Sequence, residues 1–311
     1  MLNGYLAPIL DWYGQHARDL PWREPTASSW AVLVSEIMLQ QTPVSRVMPA
    51  YRAWLTRWPT PGALAGEPAG EAVRQWGLLG YPRRALNLHA IARILVQRHG
   101  GEVPPSKEEL LALPGVGPYT AAAVASFAFG QRHAVLDTNV RRVLARLITG
   151  AALPSRAPSA AETRMAESLV PSEPAVAARW AVAVMELGAL VCTAASPRCA
   201  GCPVAPTCAW RLADFPATAE RRGGQRYQGT DRQCRGRLLA VLRDATGAVP
   251  KTRLDQAWPH AAQRERALDS LVADGLAEPL ADGRYALPGS RPARATAVVR
   301  RSTATPRSRP L

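Results

Sequence analysis

Four cysteines packed into seventeen residues constrain this chain more than any other feature. Cys192, Cys199, Cys202 and Cys208 have the spacing C-x6-C-x2-C-x5-C, and the fifth, Cys234, stands apart. Thiols this dense in one segment, with few elsewhere, do not form the spread framework of an extracellular disulfide protein. They suit a loop that wraps one metal centre, either zinc or an iron–sulfur cluster. Structural zinc sites usually pair two C-x2-C knuckles, and here there is one. The uneven loops suit a cubane, whose irons need ligands from four directions.

The rest of the chain reads as helical around this loop. From residue 1 to about 210, periodic apolar segments of helical length alternate with short Pro/Gly loops. Helices are expected near 3–17, 29–41, 44–57, 69–76, 83–98, 106–112, 118–129, 138–149, 160–169 and 174–190. Beyond Cys208 the pattern changes. Helices at Thr230–Arg243, Lys251–Trp258 and Ala261–Asp274 are followed by short strands at Leu276–Leu280 and Gly283–Leu287, which is a winged-helix order. Residues 211–229 read as a linker. Residues 290–311, rich in Pro, Arg, Ser and Thr, read as a basic disordered tail.

Charge narrows the partner. The 311 residues carry a formal net charge of +14, with 38 basic residues of which only Lys107 and Lys251 are lysine. The tail holds six arginines and no acid, so most of the excess lies in the folded part. A hydrophobic content of 47% is globular. There is no apolar run of spanning length and no N-terminal signal pattern, so a cytoplasmic, nucleoid-associated protein is expected, with no membrane partner. Nucleic acid is the default partner for such a balance.

Three local patterns carry chemistry. In Leu113–Thr120, Gly115 and Gly117 flank Val116 and permit positive φ and close approach, and Pro118 suits the first turn of a helix. The amides of such a hairpin suit a phosphate, although an ordinary helix–helix turn has the same composition. Asp137 precedes a helical stretch, where an N-cap is the simpler reading. Glu36 borders Val32, Leu33 and Leu39. A carboxyl against apolar surface has a raised pKa and can act as an acid near neutrality.

Taken together, the ordered motifs Leu20-Pro21-Trp22-Arg23, Ser35–Thr42, Gly80-Tyr81, Leu113–Thr120, Leu136–Asn139 and the cysteine loop resemble the helix-hairpin-helix DNA glycosylases. Within these the chain is similar to the MutY-type adenine glycosylases, over about residues 5–210. The resemblance implies an all-α fold of two lobes with a [4Fe-4S] cluster loop, followed here by the small winged-helix-like α+β module. An N-terminal helix, residues 1–22, would pack on a cluster lobe formed by residues 119–210. A six-helix barrel lobe would span residues 23–118 and end in the hairpin. The winged-helix module would be residues 230–289.

The same resemblance implies residue roles. Glu36 would protonate adenine, Asp137 would stabilise the developing sugar cation, and Tyr119 would position both. Cys192, Cys199, Cys202 and Cys208 would hold the cluster. Gln41, Thr42, Tyr81, Gly115, Val116, Gly117 and Arg198 would contact DNA. Trp22, Arg23 and Glu186 would line the base pocket. Strand-cutting relatives resembling endonuclease III carry a lysine where this chain has Tyr119, so a monofunctional, monomeric enzyme is expected on double-stranded DNA with an adenine mispair. Three departures stand out: Tyr81-Pro82 in place of two tyrosines, Ala181-Val182 in place of a polar pair, and a winged-helix pattern where many members carry a MutT-like domain. The resemblance therefore implies adenine opposite 8-oxoguanine or guanine and leaves their ranking open. Two other readings fit the scaffold: a glycosylase for mismatched thymine or uracil, or for oxidised pyrimidines, and a redox-responsive iron–sulfur regulator that binds DNA without cutting it.

Overall fold

The computed structural model describes residues 3–217 and 227–290. The central part of the expected linker and the expected tail from residue 291 lie outside the described residues. The first lobe-forming helices are α1 (Asn3–His16), α2 (Ser29–Leu39), α3 (Val44–Arg57), α4 (Pro61–Ala65), α5 (Ala69–Trp76), α6 (Arg83–Arg98), α7 (Lys107–Leu111) and α8 (Pro118–Phe129). Then come α9 (Thr138–Leu144), α10 (Ala160–Ser168), α11 (Pro174–Leu190) and α12 (Ala209–Leu212). Most expected helices fall within a residue or two of these limits. The five-residue α4 was not foreseen, because one turn has no periodicity to show. The expected helix over 138–149 is α9 continued by a π-helical turn at Ala145–Thr149, which Gly150 ends at φ 70°.

The central element is α2. Ser28 caps it by accepting from the Ala31 amide at 3.1 Å, and every residue from Trp30 to Met38 is buried. A helix that is apolar all round has no solvent face, so Glu36 is carried into the interior by its neighbours. The helix stops at Leu39, earlier than expected, because Gln41 takes a left-handed conformation.

Two cores result. One contains α2, α3, α5, α6 and the start of α8 around Trp54, Trp58 and Trp76. The other joins α1 to α9 and α11 through Ile9, Trp12, Trp180, Val184 and Leu187. The alanine-rich α8 lies between them, with Ala121–Ala125 buried. Gly188 lets α11 approach the start of α9, since a Cβ there would lie 2.7 Å from Cβ of Asn139.

After Tyr227 the chain forms α13 (Asp231–Asp244), β1 (Val249–Pro250), α14 (Lys251–Asp255), α15 (Ala261–Ala273), β2 (Glu278–Pro279) and β3 (Arg284–Ala286). The antiparallel sheet has the order β1-β3-β2, with Val249 opposite Tyr285 and Glu278 opposite Ala286. This is the winged-helix order with one strand, β1, beyond those expected. Two residues ending in proline give no strand signal. Cys234, which stands apart from the four-cysteine loop, is fully buried in α13. Leu238, Leu242 and Leu268 belong to the same continuous core as Trp54 and Trp76. Among the described residues no helix is long and apolar enough to cross a membrane.

Candidate active site

A cleft of about 900 Å³ opens between the two cores, and Glu36, Tyr119 and Asp137 all line it. The Tyr119 hydroxyl donates to Oε2 of Glu36 at 2.9 Å. Glu36 is 4% exposed. Burial pushes its pKa up to about 7, helped by the charge of Asp137 and opposed by the Tyr119 hydrogen bond and Arg23. Tyr119 is itself raised well above an ordinary phenol by burial and by the two carboxyls, so it stays protonated and donates. Asp137 is both an N-cap and a cleft residue. Its Oδ1 accepts from the Val140 amide at 2.6 Å and its Oδ2 from Asn139 Nδ2 at 2.8 Å. Burial raises its pKa, and those hydrogen bonds restrain the rise. The cap aims the second carboxylate at the cleft.

Trp22 and Arg23 line one wall of the cleft, whereas Glu186, expected in the same pocket, does not line it and lies buried behind Arg18 and Arg23. Glu186 is fully buried and receives Arg18 through Nε at 2.7 Å and Nη2 at 2.8 Å, and Arg23 through Nη2 at 2.9 Å. Burial alone would raise its pKa; the two guanidiniums overcome it and hold the carboxylate at about 2. The other Arg23 nitrogen, Nη1, is buried with no hydrogen-bond partner among the described residues, and Arg23 lines the cleft. Arg18 was missed by the sequence reading. Only the fold places it against a residue 168 positions away. Trp22 is buried edge-on against Tyr51, while Val182, one of the departures, is a cleft residue.

Two loops carry strained residues, and the one with Gln41 lines the cleft. Gln41 at φ 55° and Tyr81 at φ 46° are non-glycine residues in the left-handed region, a conformation that marks functional positions when the surroundings enforce it. Both are exposed. Arg84 enforces them. Its Nη1 donates to the carbonyls of Ile37 at 3.0 Å, Met38 at 2.9 Å and Gln40 at 2.5 Å. Its Nη2 donates to Thr42 Oγ1 at 2.9 Å and the Gly80 carbonyl at 3.0 Å. Burial lowers the Arg84 pKa to about 10, which still leaves it charged at neutrality. Thr42, expected at the DNA, is buried with its hydroxyl engaged by Arg84.

The hairpin differs in detail from expectation. Gly115 has φ 76°, and a Cβ there would strike the Asn87 amide at 2.2 Å. Gly117 is extended, at φ −96°, and caps α8 without any side-chain bond. A Cβ on Gly117 would meet nothing within 4 Å, so space is open in front of the first α8 amides. Val116 is buried and its amide is spent on the Leu113 carbonyl at 3.2 Å, so it anchors the turn.

Comparison with known proteins follows the same lines. Residues 34–168 match the HhH-GPD superfamily of base excision DNA repair proteins. An adenine DNA glycosylase of Mycolicibacterium smegmatis is 52% identical over 282 residues, covering 90% of this chain and 95% of that protein. This chain belongs to the adenine DNA glycosylase family. The Mycobacterium tuberculosis adenine DNA glycosylase is 51% identical over 90% of this chain and 92% of its own length. Among solved structures, a thermostable thymine-DNA glycosylase superposes with a TM-score of 0.61 at 29% identity, over 68% of this chain and 97% of that one.

In this adenine glycosylase family member all four cysteines of the loop line one small cavity with Arg146, Trp210 and Arg211. Arg146 donates to Cys192 Sγ at 3.4 Å and stacks on Trp210. Burial raises the Cys202 thiol to about 11, and the neighbouring Cys192, Cys208 and Cys199 add to the rise. Among the described residues no three His, Cys, Asp or Glu side chains are grouped closely enough to hold a single metal ion. Arg198 is exposed on this loop, with its amide donating to the Val191 carbonyl at 2.9 Å.

Proposed function

We propose that this chain hydrolyses the N-glycosidic bond of adenine mispaired with 8-oxoguanine or guanine in duplex DNA and leaves the strand intact. The observation that carries this reading is Glu36: a buried carboxyl whose pKa is raised to about 7, held by Tyr119 in the cleft that also contains Asp137. The bond lies inside the base stack, so the nucleotide must first leave it. Gln41 and Tyr81 wedge into the duplex, while the Gly115–Gly117 hairpin and Arg198 hold backbone phosphates. Adenine leaves poorly until a ring nitrogen is protonated, and Glu36 supplies that proton. The sugar becomes cationic as the bond breaks, and the fixed negative charge of Asp137 offsets it, as paired carboxylates do in glycoside hydrolysis. Trp22 and Arg23 shape the base pocket, and Glu186 acts from behind by fixing Arg23. Water completes the hydrolysis.

No lysine serves as a strand-cutting nucleophile. Lys107 opens α7, and Lys251 is tied to Asp255 at 3.0 Å and Glu265 at 2.6 Å, both away from the cleft. Borohydride trapping on an intact-base substrate is expected to give no covalent adduct, and efficient trapping would refute this point.

The four thiols fit a [4Fe-4S] cluster better than a zinc ion. All four line one cavity, and their C-x6-C-x2-C-x5-C spacing has only one of the C-x2-C knuckles that structural zinc sites usually pair. Such a cluster would supply a rigid anchor for the loop that presents Arg198, and no bond-breaking step runs through it. Iron and labile sulfide in equal amounts, lost together in Cys199→Ser, test this.

The deciding experiment measures adenine release from duplexes with adenine opposite 8-oxoguanine, guanine, cytosine and thymine; the enzyme is taken to be a monomer whose substrate is intracellular DNA. Release from the first two is expected, and failure on both overturns the reading. A thymine glycosylase shares the scaffold, but a buried acid has its use in protonating a purine nitrogen. The regulator reading gains only if wild type and Glu36→Gln are equally inert on every mispair.

A further inference from the structure

We infer that the winged-helix module braces the loop that carries Tyr81, and acts on lesion recognition through that loop. The inference rests on the proposed placing of Tyr81 beside the lesion.

The loop from Gly77 to Pro82 joins α5 to α6. It contains three residues in the left-handed region: Gly77 at φ 55°, Gly80 at 83° and Tyr81 at 46°. Such a loop keeps one shape only where its surroundings over-determine it. Its own lobe supplies part of the restraint. Arg46 Nη2 donates to the Leu78 carbonyl at 2.5 Å, and Trp76 Nε1 donates to the Gly80 carbonyl at 2.9 Å.

The two ends of the loop are held from the winged-helix module. Arg243 on α13 donates through Nη1 to the Gly77 carbonyl. Asp274, just past α15, lies 3.4 Å from the Arg83 guanidinium, two residues beyond Tyr81. The contact is reciprocal, because Arg74 on α5 donates through Nη1 to the carbonyls of Arg243 and Ala245. A second docking point fixes the module as a body. The Gly70 amide donates to the Pro288 carbonyl at 2.7 Å, and a Cβ at Gly70 would lie 2.8 Å from both Leu287 Cβ and that oxygen. Leu79, inside the loop, belongs to the core that continues into Leu238 and Leu242.

The test uses the full chain. Arg243→Gln removes the bond to Gly77, Arg243→Lys retains a donor, and Arg266→Gln breaks a pair internal to the module. Base flipping is read by 2-aminopurine fluorescence next to the mispaired adenine, and chemistry by single-turnover release. Arg243→Gln should lower both by about tenfold, the scale of one charged hydrogen bond. Arg243→Lys should recover most of the loss, and Arg266→Gln should match wild type. In a Tyr81→Ala background Arg243→Gln should cost nothing further, because the two act as one unit. Hydrogen exchange at the loop amides should rise in Arg243→Gln while that in α2 and α8 stays constant. If Tyr81→Ala impairs flipping while Arg243→Gln has no effect or adds to it independently, the brace is refuted and the wedge stands. If Tyr81→Ala leaves flipping intact, the wedge reading fails and the brace falls with it.

Discussion

The Tyr119 hydroxyl stands 2.9 Å from Oε2 of Glu36 and donates to it, and this contact sets how far burial can raise the acid. Burial drives the Glu36 pKa upward and the Tyr119 bond restrains it at about 7. Tyr119→Phe therefore raises the Glu36 pKa. The alkaline limb of the pH–rate profile for base release is expected to move to higher pH, with a roughly tenfold slower reaction at its plateau from lost positioning. An unshifted limb would show that the contact does not tune the acid.

Glu36→Gln removes the proton donor and leaves the shape of the cleft. Base release is expected to fall by about 10²–10⁴-fold, with mispair-duplex affinity kept in a filter-binding or anisotropy assay. In wild type the rate declines as pH rises through about 7. The same raised pKa has a stability consequence. Folding favours the protonated form, so this contribution is present below about pH 4.5 and is lost as pH rises through about 7. The Gln variant, which has nothing to deprotonate, is expected to gain stability on the wild type by roughly 3 kcal/mol between pH 5 and 8 in denaturant melts.

Glu186 gives the opposite limb. Its pKa is depressed to about 2 by Arg18 and Arg23 against the effect of burial. Its contribution is present above about pH 4.5 and is lost as pH falls toward 2. Glu186→Gln leaves two guanidiniums facing a neutral group, and a loss of roughly 3 kcal/mol at pH 7 is expected. The acid side of the stability curve should flatten at the same time.

Arg84 ties the end of α2 to the Gly80–Tyr81 loop through carbonyls. Arg84→Ala orphans those oxygens, and a loss of about 3 kcal/mol is expected in urea unfolding. Arg84→Lys keeps the charge without the fork. It should retain most stability yet lose discrimination between mispaired and matched duplex, since Gln41 and Tyr81 are no longer held in register.

Gly188→Val places a side chain where Asn139 Cβ and its carbonyl already stand within 3 Å. The start of α9 must then move, and Asp137 with it. A stability loss of about 1–3 kcal/mol is expected alongside a fall in base release larger than that of a surface variant of equal stability.

Most of this protein was legible as local pattern. The spacing of apolar residues gave α2, α6, α8 and α11 nearly to the residue, because each runs for three turns or more and repeats its signal. Elements of one turn or two residues, α4 and β1, were not legible, since no period fits in them. The π turn after α9 was read as plain helix for a similar reason: its composition is helical and only its hydrogen bonding differs. Resemblance to a family directed attention to Glu36, Asp137, Tyr119 and the cysteines, and all line a cleft or cavity of the fold. Thr42 and Val116 were expected at the DNA but turn inward, because whether a hydroxyl or an amide faces solvent depends on what packs behind it.

The sequence by itself determined that the chain is helical, basic and furnished with one dense thiol loop, because these follow from residue type and near-neighbour spacing. Only the tertiary structure decided which charges are charged. Glu36 and Glu186 are the same side chain on two buried helices, yet one sits at about 7 and the other at about 2. Burial raises both; one phenol hydrogen bond offsets it only in part at Glu36, while two guanidiniums overcome it at Glu186, the partners being brought from 83 and up to 168 residues away. Electrostatic environment is a property of distance in space, and no window along the chain contains it.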